Sequence, residues 1–376
     1  MKRTKPKNLP VVRPKPPPVG LADQLLGDIR SLIENARGQV AQAVNAGLVM
    51  LYWGIGDRIH RETLDHKRAE YGQQIVETLS EMLVSDYGAG FSRANLFHMI
   101  RFAETFPNRE IVYTLCRQLG WSHFRQIIYL PDSLQRDFYA EMCRLERWSV
   151  RTLRVKIQGM LYERTGISKK PADLAKQELT KLREEDRLTP DLVFRDPYLL
   201  DFLGLKDTYS ERDLEAAILH ELERFLVELG SDFAFLARQK RITVDQEDYY
   251  LDLLFYHRRL HRLVAIDLKL GRFQAADKGQ MELYLRWLET HEKQSGENPP
   301  IGLILCADKS AEHVELLQLE KSGIRVAQYL TELPPRKVLE HKLHEAIWIA
   351  REQLTTRQLP PAGGASDSAQ NEPKMS

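Results

Sequence analysis

The spacing of apolar residues changes about half-way along the 376-residue chain. From residue 22 to 165 they recur every three or four positions, which predicts helices. After residue 196, short apolar runs alternate with helical segments, which predicts a domain of mixed α and β structure. Its strands are predicted at 233–244, 249–257, 262–270, 301–307 and 324–330, and its helices at 210–229, 277–291, 311–322 and 335–354.

These patterns predict an α+β protein with two folded domains. The second would hold a mixed five-stranded sheet, in which a meander of three strands is followed by two crossovers. The predicted parts of the chain are a disordered basic arm at 1–21, a helical domain at 22–165, a linker at 166–195, an α/β domain at 196–355 and a disordered tail at 356–376.

Two segments of the helical half are candidates for binding DNA. Residues 71–106 read as a helix, a glycine-containing turn and a second helix, a pattern that a helix-turn-helix shares with a simple α-hairpin. In the first interpretation Arg93 and Arg101 face DNA; in the second their charges are only solvated.

The second segment, 147–170, has seven Lys/Arg and one acid. Arg151, Arg154 and Lys156 would form its basic side. Clustered positive charge is the expected footprint of a nucleic-acid site, although short solvated basic faces are common.

The composition limits which binding sites and which cellular compartment the sequence predicts. Lys+Arg number 54 against 53 Asp+Glu, a net charge of +1, so any surface for a polyanion must be local. The three cysteines lie far apart without a Cys-x-x-Cys pair, which argues against a zinc site or disulfide framework and favours a reducing cytoplasm. No apolar run is long enough for a membrane span, so no membrane association is expected.

The hairpin "LDLLFYHRRLHRLVAIDLKLGRF" carries the clearest chemical signal, because each of its apolar strands contains an aspartate. A four-residue loop would pair His257 with Arg262 and place Asp252 opposite Asp267. Two facing carboxylates suit Mg²⁺ or Mn²⁺, both of which prefer oxygen ligands. Lys269 shares the face of Asp267 and could stabilise developing negative charge. The alternative is a surface pair of acids with Lys269 as an ion-pair partner.

The flanking helices offer two further polar residues. Glu215 lies within the apolar arc of the first helix and is a candidate third ligand; otherwise it is an acid favoured by the helix dipole. Gln280 shares a face with Tyr284 on the second helix and could bind phosphate or orient Lys269; otherwise it is a capping or surface residue.

The order Glu215, Asp252, Asp267-x-Lys269 and Gln280 is that of the PD-(D/E)XK nucleases. Most of the chain, about 22–350, resembles the YhcG-type bacterial proteins of that superfamily. The stretches that carry the resemblance include "GFSRANLFHMIRF", "WSHF", "RWSVRTLRVKI", "TPDLVFRDPYLLDFLGL", "FLVELGSDFAFLARQKRI", "GQMELYLRWL" and "IGLILCADK".

The resemblance implies a winged-helix-like DNA-binding region followed by a restriction-endonuclease-like domain. It assigns catalysis to the five residues just named and metal binding to its three acids. Arg238 and Gln239 also fit the family's first strand and are candidate phosphate contacts; a structural role for them is the alternative. Leu251 stands where the motif has proline, and Asp267 where glutamate is commoner. The latter shortens the ligand by one methylene and could change the metal preference.

The expected function is therefore a metal-dependent endonuclease that acts on duplex or branched DNA. A non-catalytic DNA-binding or assembly module that keeps the fold is one alternative, and an RNA nuclease is another. Cutting of both strands of a duplex would favour a homodimer, which nothing in the sequence requires.

Overall fold

The computed structural model describes residues 19–65, 69–205, 208–230 and 232–358. They form two compact units that divide after Arg125. The predicted boundary near residue 165 does not coincide with this division, and the predicted domain limits stay predictions. Most of the predicted arm and tail lies outside the described residues.

The first unit is helical. Its helices are α1 (Val19–Asp65), α2 (Ala69–Tyr87), α3 (Arg93–Thr105), α4 (Arg109–Leu115) and α5 (Trp121–Ile127), the last of which crosses the division. The predicted helix, glycine turn and helix are α2, a short 3₁₀ turn at Ala89–Phe91, and α3. The described residues of this unit include no strand. A winged helix has a β-hairpin as its wing, so that part of the prediction is not confirmed.

Helix α1 packs against α3 through its second half. Ile59 is buried there with Leu96 and Met99 of α3, and the indole nitrogen of Trp53 donates to the carbonyl oxygen of Phe106 at 2.8 Å. The two backbones come so close that a Cβ on Gly56 would lie 1.9 Å from the carbonyl oxygen of Met99.

The second unit begins with helices α6 (Ser133–Glu146), α7 (Val150–Gln158), α8 (Leu161–Arg164), α9 (Ala172–Glu185) and α10 (Pro190–Val193). They are tied to the α/β part by buried ion pairs. Glu228 accepts from Arg164 at 2.5 Å and lies 3.1 Å from Arg195. Burial opposes ionisation of Glu228, but the two guanidinium groups outweigh burial and lower its pKa.

The α/β part confirms the predicted strands and adds one. Strand β1 (Tyr198–Leu199) precedes α11 (Glu211–His220), α12 (Leu222–Leu229), β2 (Phe233–Val244), β3 (Glu247–His257), β4 (Arg262–Arg272), α13 (Ala275–His291), β5 (Ile301–Asp308), α14 (Ala311–Leu316), β6 (Ile324–Leu330) and α15 (Arg336–Gln358). The sheet order is β1-β6-β5-β4-β3-β2, so the five-strand prediction is wrong by one. A two-residue strand is too short to show an alternating pattern.

The sheet is mixed. Strands β2, β3 and β4 form the predicted antiparallel meander, and β4, β5, β6 and β1 run parallel. Helices α11 and α12 pack on one face, where Leu214 and Phe225 are buried against the sheet. Helix α13 packs on the other face through Met281 and Tyr284. The ends of β3 and β4 therefore lie between two helical layers.

The structure bears on two predictions from the sequence, which concern the cysteines and a membrane span. The three cysteine thiols are buried and free. Within the described ranges, no helix has the length and apolar character needed to cross a bilayer.

The α1–α3 contact predicts opposite effects for two neighbouring glycines. Gly56→Ala should lower the free energy of unfolding by about 2 kcal/mol or more, because its Cβ meets fixed backbone. Gly54→Ala, with nothing within 4 Å of its Cβ, should leave stability unchanged or raise it by roughly 0.5–1 kcal/mol through helix propensity. Urea unfolding of both full-length variants measures this; equal effects would contradict the close approach.

Candidate active site

The hairpin register places the two aspartates as predicted. The β3–β4 ladder runs from His257↔Arg262 to Leu253↔Ile266, and the next position along it holds Asp252 and Asp267. On β4, Leu263 and Ala265 contribute to the cluster under α13. Side chains alternate along a strand, so Asp267 and Lys269 belong to that same face.

The ladder is interrupted at Asp252, and its side chain replaces the missing backbone partner. Its Oδ2 accepts from the backbone N–H of Leu268 at 2.8 Å. Its Oδ1 accepts from the side-chain amide of Gln239 on β2 at 3.0 Å. Gln239 has φ 44°, a left-handed conformation that is uncommon for a residue with a side chain.

Glu215 of α11 joins this group through Gln239. It is buried, and its Oε2 accepts from the same amide nitrogen at 2.7 Å. At the start of α11, Glu211 accepts from the backbone N–H of Leu270 at 3.3 Å. Glu215 therefore projects from the helix toward the sheet, as its place in the apolar arc predicted, and Glu211 does so as well. One amide nitrogen holds the carboxylates of Glu215 and Asp252 together.

Lys269 and Gln280 approach Asp267 from its other side. The ammonium of Lys269 lies 2.9 Å from Oδ2 of Asp267 and 3.4 Å from Oε1 of Gln280. The amide of Gln280 is fixed in turn, since its nitrogen donates to the hydroxyl of Tyr284 at 2.6 Å. That hydroxyl donates to the carbonyl oxygen of Tyr250 at 3.1 Å. The five predicted catalytic residues thus form two groups. Gln239 joins Glu215 to Asp252, and Lys269 contacts both Asp267 and Gln280.

Burial makes both aspartates harder to ionise. Desolvation raises the pKa of Asp267 to about 6, although Lys269 pulls it down and Asp252 pushes it up. Desolvation also raises the pKa of Asp252, against the hydrogen bonds from Leu268 and Gln239. Burial opposes the charge of Lys269, but Asp267 outweighs burial and raises its pKa.

The donor set suits a divalent cation in part. Oδ2 of Asp267 is buried and forms no hydrogen bond, although Lys269 lies beside it. A cation between the aspartates would supply that missing partner and relieve the repulsion. However, no three His, Cys, Asp or Glu side chains among the described residues are already arranged to hold a metal. The amide of Gln239 lies between Glu215 and Asp252, so the third acid could bind a metal only if Gln239 moved.

The candidate DNA-binding residues lie in different places. Arg93 and Arg101 are exposed on α3 of the first unit, where Arg93 also lies 3.5 Å from Glu77. In the second unit, the exposed residues are Arg151 and Arg154 on α7 and Arg238 on β2.

Lys156 differs from the predicted basic side. Its ammonium donates to the carbonyl oxygen of Val227 at 3.0 Å. Desolvation, with a contribution from Arg195, lowers its pKa to about 7. It is therefore set apart from the exposed Arg151 and Arg154, and the exposed basic face is smaller than the sequence suggested.

Sequence reasoning missed the role of Gln239 as a bridge, since it offered only a phosphate contact or an unspecified structural role for this residue. No local pattern marks the residue, because its position depends on a gap in pairing between β2 and β3. The only sequence signal was an amide next to Arg238 in a strand that faces a hairpin with buried acids.

Two family models match the chain. Residues 28–164 match the DUF1016 N-terminal domain, and residues 191–344 match the YhcG PDDEXK nuclease domain. The protein of Escherichia coli (strain K12) named "Putative nuclease YhcG" is 35% identical over 352 residues, which cover 85% of this chain and 93% of that protein.

Solved structures also show similarity over part of the chain. A repair endonuclease from Pyrococcus abyssi is 19% identical with a TM-score of 0.24, over 35% of this chain and 50% of that one. EndoMS in complex with double-stranded DNA is 18% identical with a TM-score of 0.26, over 35% of this chain and 49% of that one. The chain thus spans about half the length of each.

The raised pKa of Asp267 makes a prediction for the metal-free protein. Its folded pKa of about 6 exceeds the ordinary aspartate pKa of 3.8, so the folded state loses stability as pH rises through that interval. Asp267→Asn should therefore raise the free energy of unfolding by about 1–3 kcal/mol at pH 7 in EDTA, with little gain near pH 4.

Asp248→Asn is the control. Its pKa is lowered by the hydrogen bond from Arg241, so that substitution should not stabilise the protein at pH 7. Urea unfolding across this pH range would measure both. A loss of stability in Asp267→Asn at pH 7 would show that the carboxylate supports the fold instead of straining it.

Proposed function

The chain belongs to the family of YhcG-type PDDEXK nucleases, and we propose that it is a metal-dependent endonuclease that hydrolyses DNA. The observation that carries the proposal is the pair of aspartates on neighbouring strands, Asp267 buried and Asp252 half-buried, with Lys269 2.9 Å from Asp267. Placing two acids side by side where both are partly removed from water destabilises a fold, so their position needs a reason outside folding.

Asp252 and Asp267 would hold Mg²⁺ or Mn²⁺, with Glu215 as a third ligand once the Gln239 amide moves. Bound there, the ion would polarise the phosphoryl group and favour ionisation of a water. The two aspartates suit these ions, because an ionised aspartate offers only oxygen acceptors and both ions prefer oxygen ligands.

Lys269 would act as a fixed positive charge beside the reacting phosphate. Its raised pKa keeps it protonated at neutral pH, and a preorganised charge in a partly buried site stabilises developing negative charge well. Gln280 is a positioning residue in this scheme, because it contacts the ammonium at 3.4 Å and is itself fixed by Tyr284.

The DNA backbone would be held by exposed arginines. Arg238 lies on β2, directly before Gln239 in the sequence. Arg151 and Arg154 supply further charge on α7. Arg93 and Arg101 would extend binding to the helical unit. Guanidinium groups suit this role because they bind phosphate through two parallel hydrogen bonds.

Cleavage assays test the catalytic assignment. Full-length protein should cut duplex or branched DNA only with Mg²⁺ or Mn²⁺, and Lys269→Ala should slow single-turnover cleavage by about 10²–10³-fold. Lys269→Arg should restore little, because a planar fork does not replace a compact ammonium. Lys293→Ala is the matched control, since its ion pair with Glu289 lies at the far end of α13.

The same assay separates the alternatives. Cleavage of RNA but not DNA would make the protein a ribonuclease, and no cleavage of any substrate by a folded, metal-bound protein would favour a binding module. Full activity of Lys269→Ala would contradict its assigned role.

DNA binding is tested separately from cleavage. The full chain is required, because ending it near residue 170 would remove Glu228 from Arg164. With Ca²⁺ in place of Mg²⁺, Arg93→Ala/Arg101→Ala should weaken duplex binding. It should also reduce the log–log salt slope by about 2, at roughly 0.9 per phosphate contact.

A pair of exposed arginines on other helices of the same unit is the control, Arg58→Ala/Arg109→Ala, which should leave the slope unchanged. Equal slopes for all three proteins would remove α3 from the DNA-binding surface.

A further inference from the structure

One face of helix α1 packs against the other helices of the first unit, and the opposite face does not. The inner face includes the buried Val49, Trp53 and Ile59. Asn45 extends this anchoring, since its amide approaches the carbonyl oxygens of Cys116 at 3.5 Å and Leu119 at 3.4 Å.

The opposite face carries a continuous apolar stripe. Its large side chains are between 44% and 65% exposed. Together with Arg37 they are separated by steps of three or four residues, and at about 100° per residue they fall within an arc of roughly 100°. We name this surface the α1 stripe; its apolar members are Leu26, Ile29, Ile33, Val40, Val44, Leu48 and Leu51.

The first half of α1 has little support from the rest of the first unit. Every residue from 26 to 44 is exposed. An isolated helix is marginal in water, and most helical stability comes from packing an apolar face. A contiguous exposed apolar surface of this length marks an interaction site.

The parts of the chain outside the described residues do not offer a matching surface. Residues 1–18 contain six Lys/Arg, six prolines and only four large apolar residues, and residues 359–376 contain only Leu359 and Met375 as large apolar residues. Neither segment has an apolar repeat that could cover the α1 stripe. A second copy of the chain does have one, because it carries the same stripe.

We propose that the α1 stripe is the interface of an antiparallel dimer. From Leu26 to Leu51 the steps are 3, 4, 4, 3, 4, 4 and 3, a series that reads the same in both directions. Two antiparallel copies centred between residues 38 and 39 therefore place every stripe position opposite another. The pairing is symmetric, so it closes as a two-fold dimer.

Arg37 decides between the two helix directions. In a parallel pair in register it would face Arg37 of the partner subunit, which brings like charges together at the apolar seam. In the antiparallel pair it faces Val40 of the partner subunit. Its guanidinium keeps the ion pair with Glu34 of its own chain at 3.1 Å. The stripe is about 38 Å long, so its two ends are clearly distinguishable by cross-linking.

Cross-linking of the full-length protein tests the arrangement. The native thiols are buried, so cysteines introduced by Leu26→Cys and Leu51→Cys should react selectively. In the antiparallel dimer, mixing the two variants should give a disulfide between a Leu26→Cys chain and a Leu51→Cys chain. Neither variant alone should cross-link to itself, because its two copies lie at opposite ends. Self-linking of Leu26→Cys would show a parallel pair and overturn the arrangement.

Sedimentation with adjacent substitutions tests the surface itself. Ile33→Glu should weaken dimerisation on the order of a hundredfold or more, since it buries a charge at the seam in both copies. Leu32→Glu is the matched control: Leu32 is 69% exposed and lies outside the arc, so the dimer should persist. A monomeric wild type at tens of micromolar, or equal effects of the two substitutions, would overturn the proposal. Both readouts are independent of nuclease activity.

Discussion

The structure depends most on one electrostatic constraint, the placement of a buried and a half-buried carboxylate, Asp267 and Asp252, beside each other between two helical layers. In a low-dielectric site such a pair repels, and ionisation becomes costly. The fold limits this cost with specific partners: the amide of Gln239 and a backbone N–H for Asp252, and the ammonium of Lys269 for Asp267. These partners satisfy the acids only in part, because Oδ2 of Asp267 stays without a hydrogen bond.

The sheet and its helices bring these partners together from distant parts of the sequence. The tight β3–β4 hairpin sets the two aspartates opposite each other, and the helices on the two faces supply Glu215 and Gln280. The helices before the sheet belong to the same unit, because Glu228 is buried with Arg164 and Arg195. The site thus rests on rigid elements, which favours a fixed geometry for chemistry.

The sequence predicted the features that follow from local rules. Alternation and loop length gave the strands and the register of Asp252 with Asp267. The family resemblance is confirmed, and the catalytic roles that it assigns stay predictions. Sequence reasoning failed where position depends on distant contacts. The position of the Lys156 ammonium depends on a carbonyl 71 residues away, and the bridge made by Gln239 depends on its φ of 44°. The exposure of the α1 stripe could not be predicted from the sequence either, because periodicity alone does not show which apolar face is covered.

We infer that Asp252 and Asp267 form a metal site whose carboxylates contact Gln239 and Lys269 when no metal is bound. Crystals soaked in Mn²⁺ test it most directly through anomalous diffraction at the manganese edge. The account predicts a peak within coordination distance of both Asp252 and Asp267, about 2.0–2.3 Å from their oxygens. It also predicts that the Gln239 amide moves away from Glu215. A peak that avoids both aspartates, or none in a crystal whose surface carboxylates bind the ion, would contradict it.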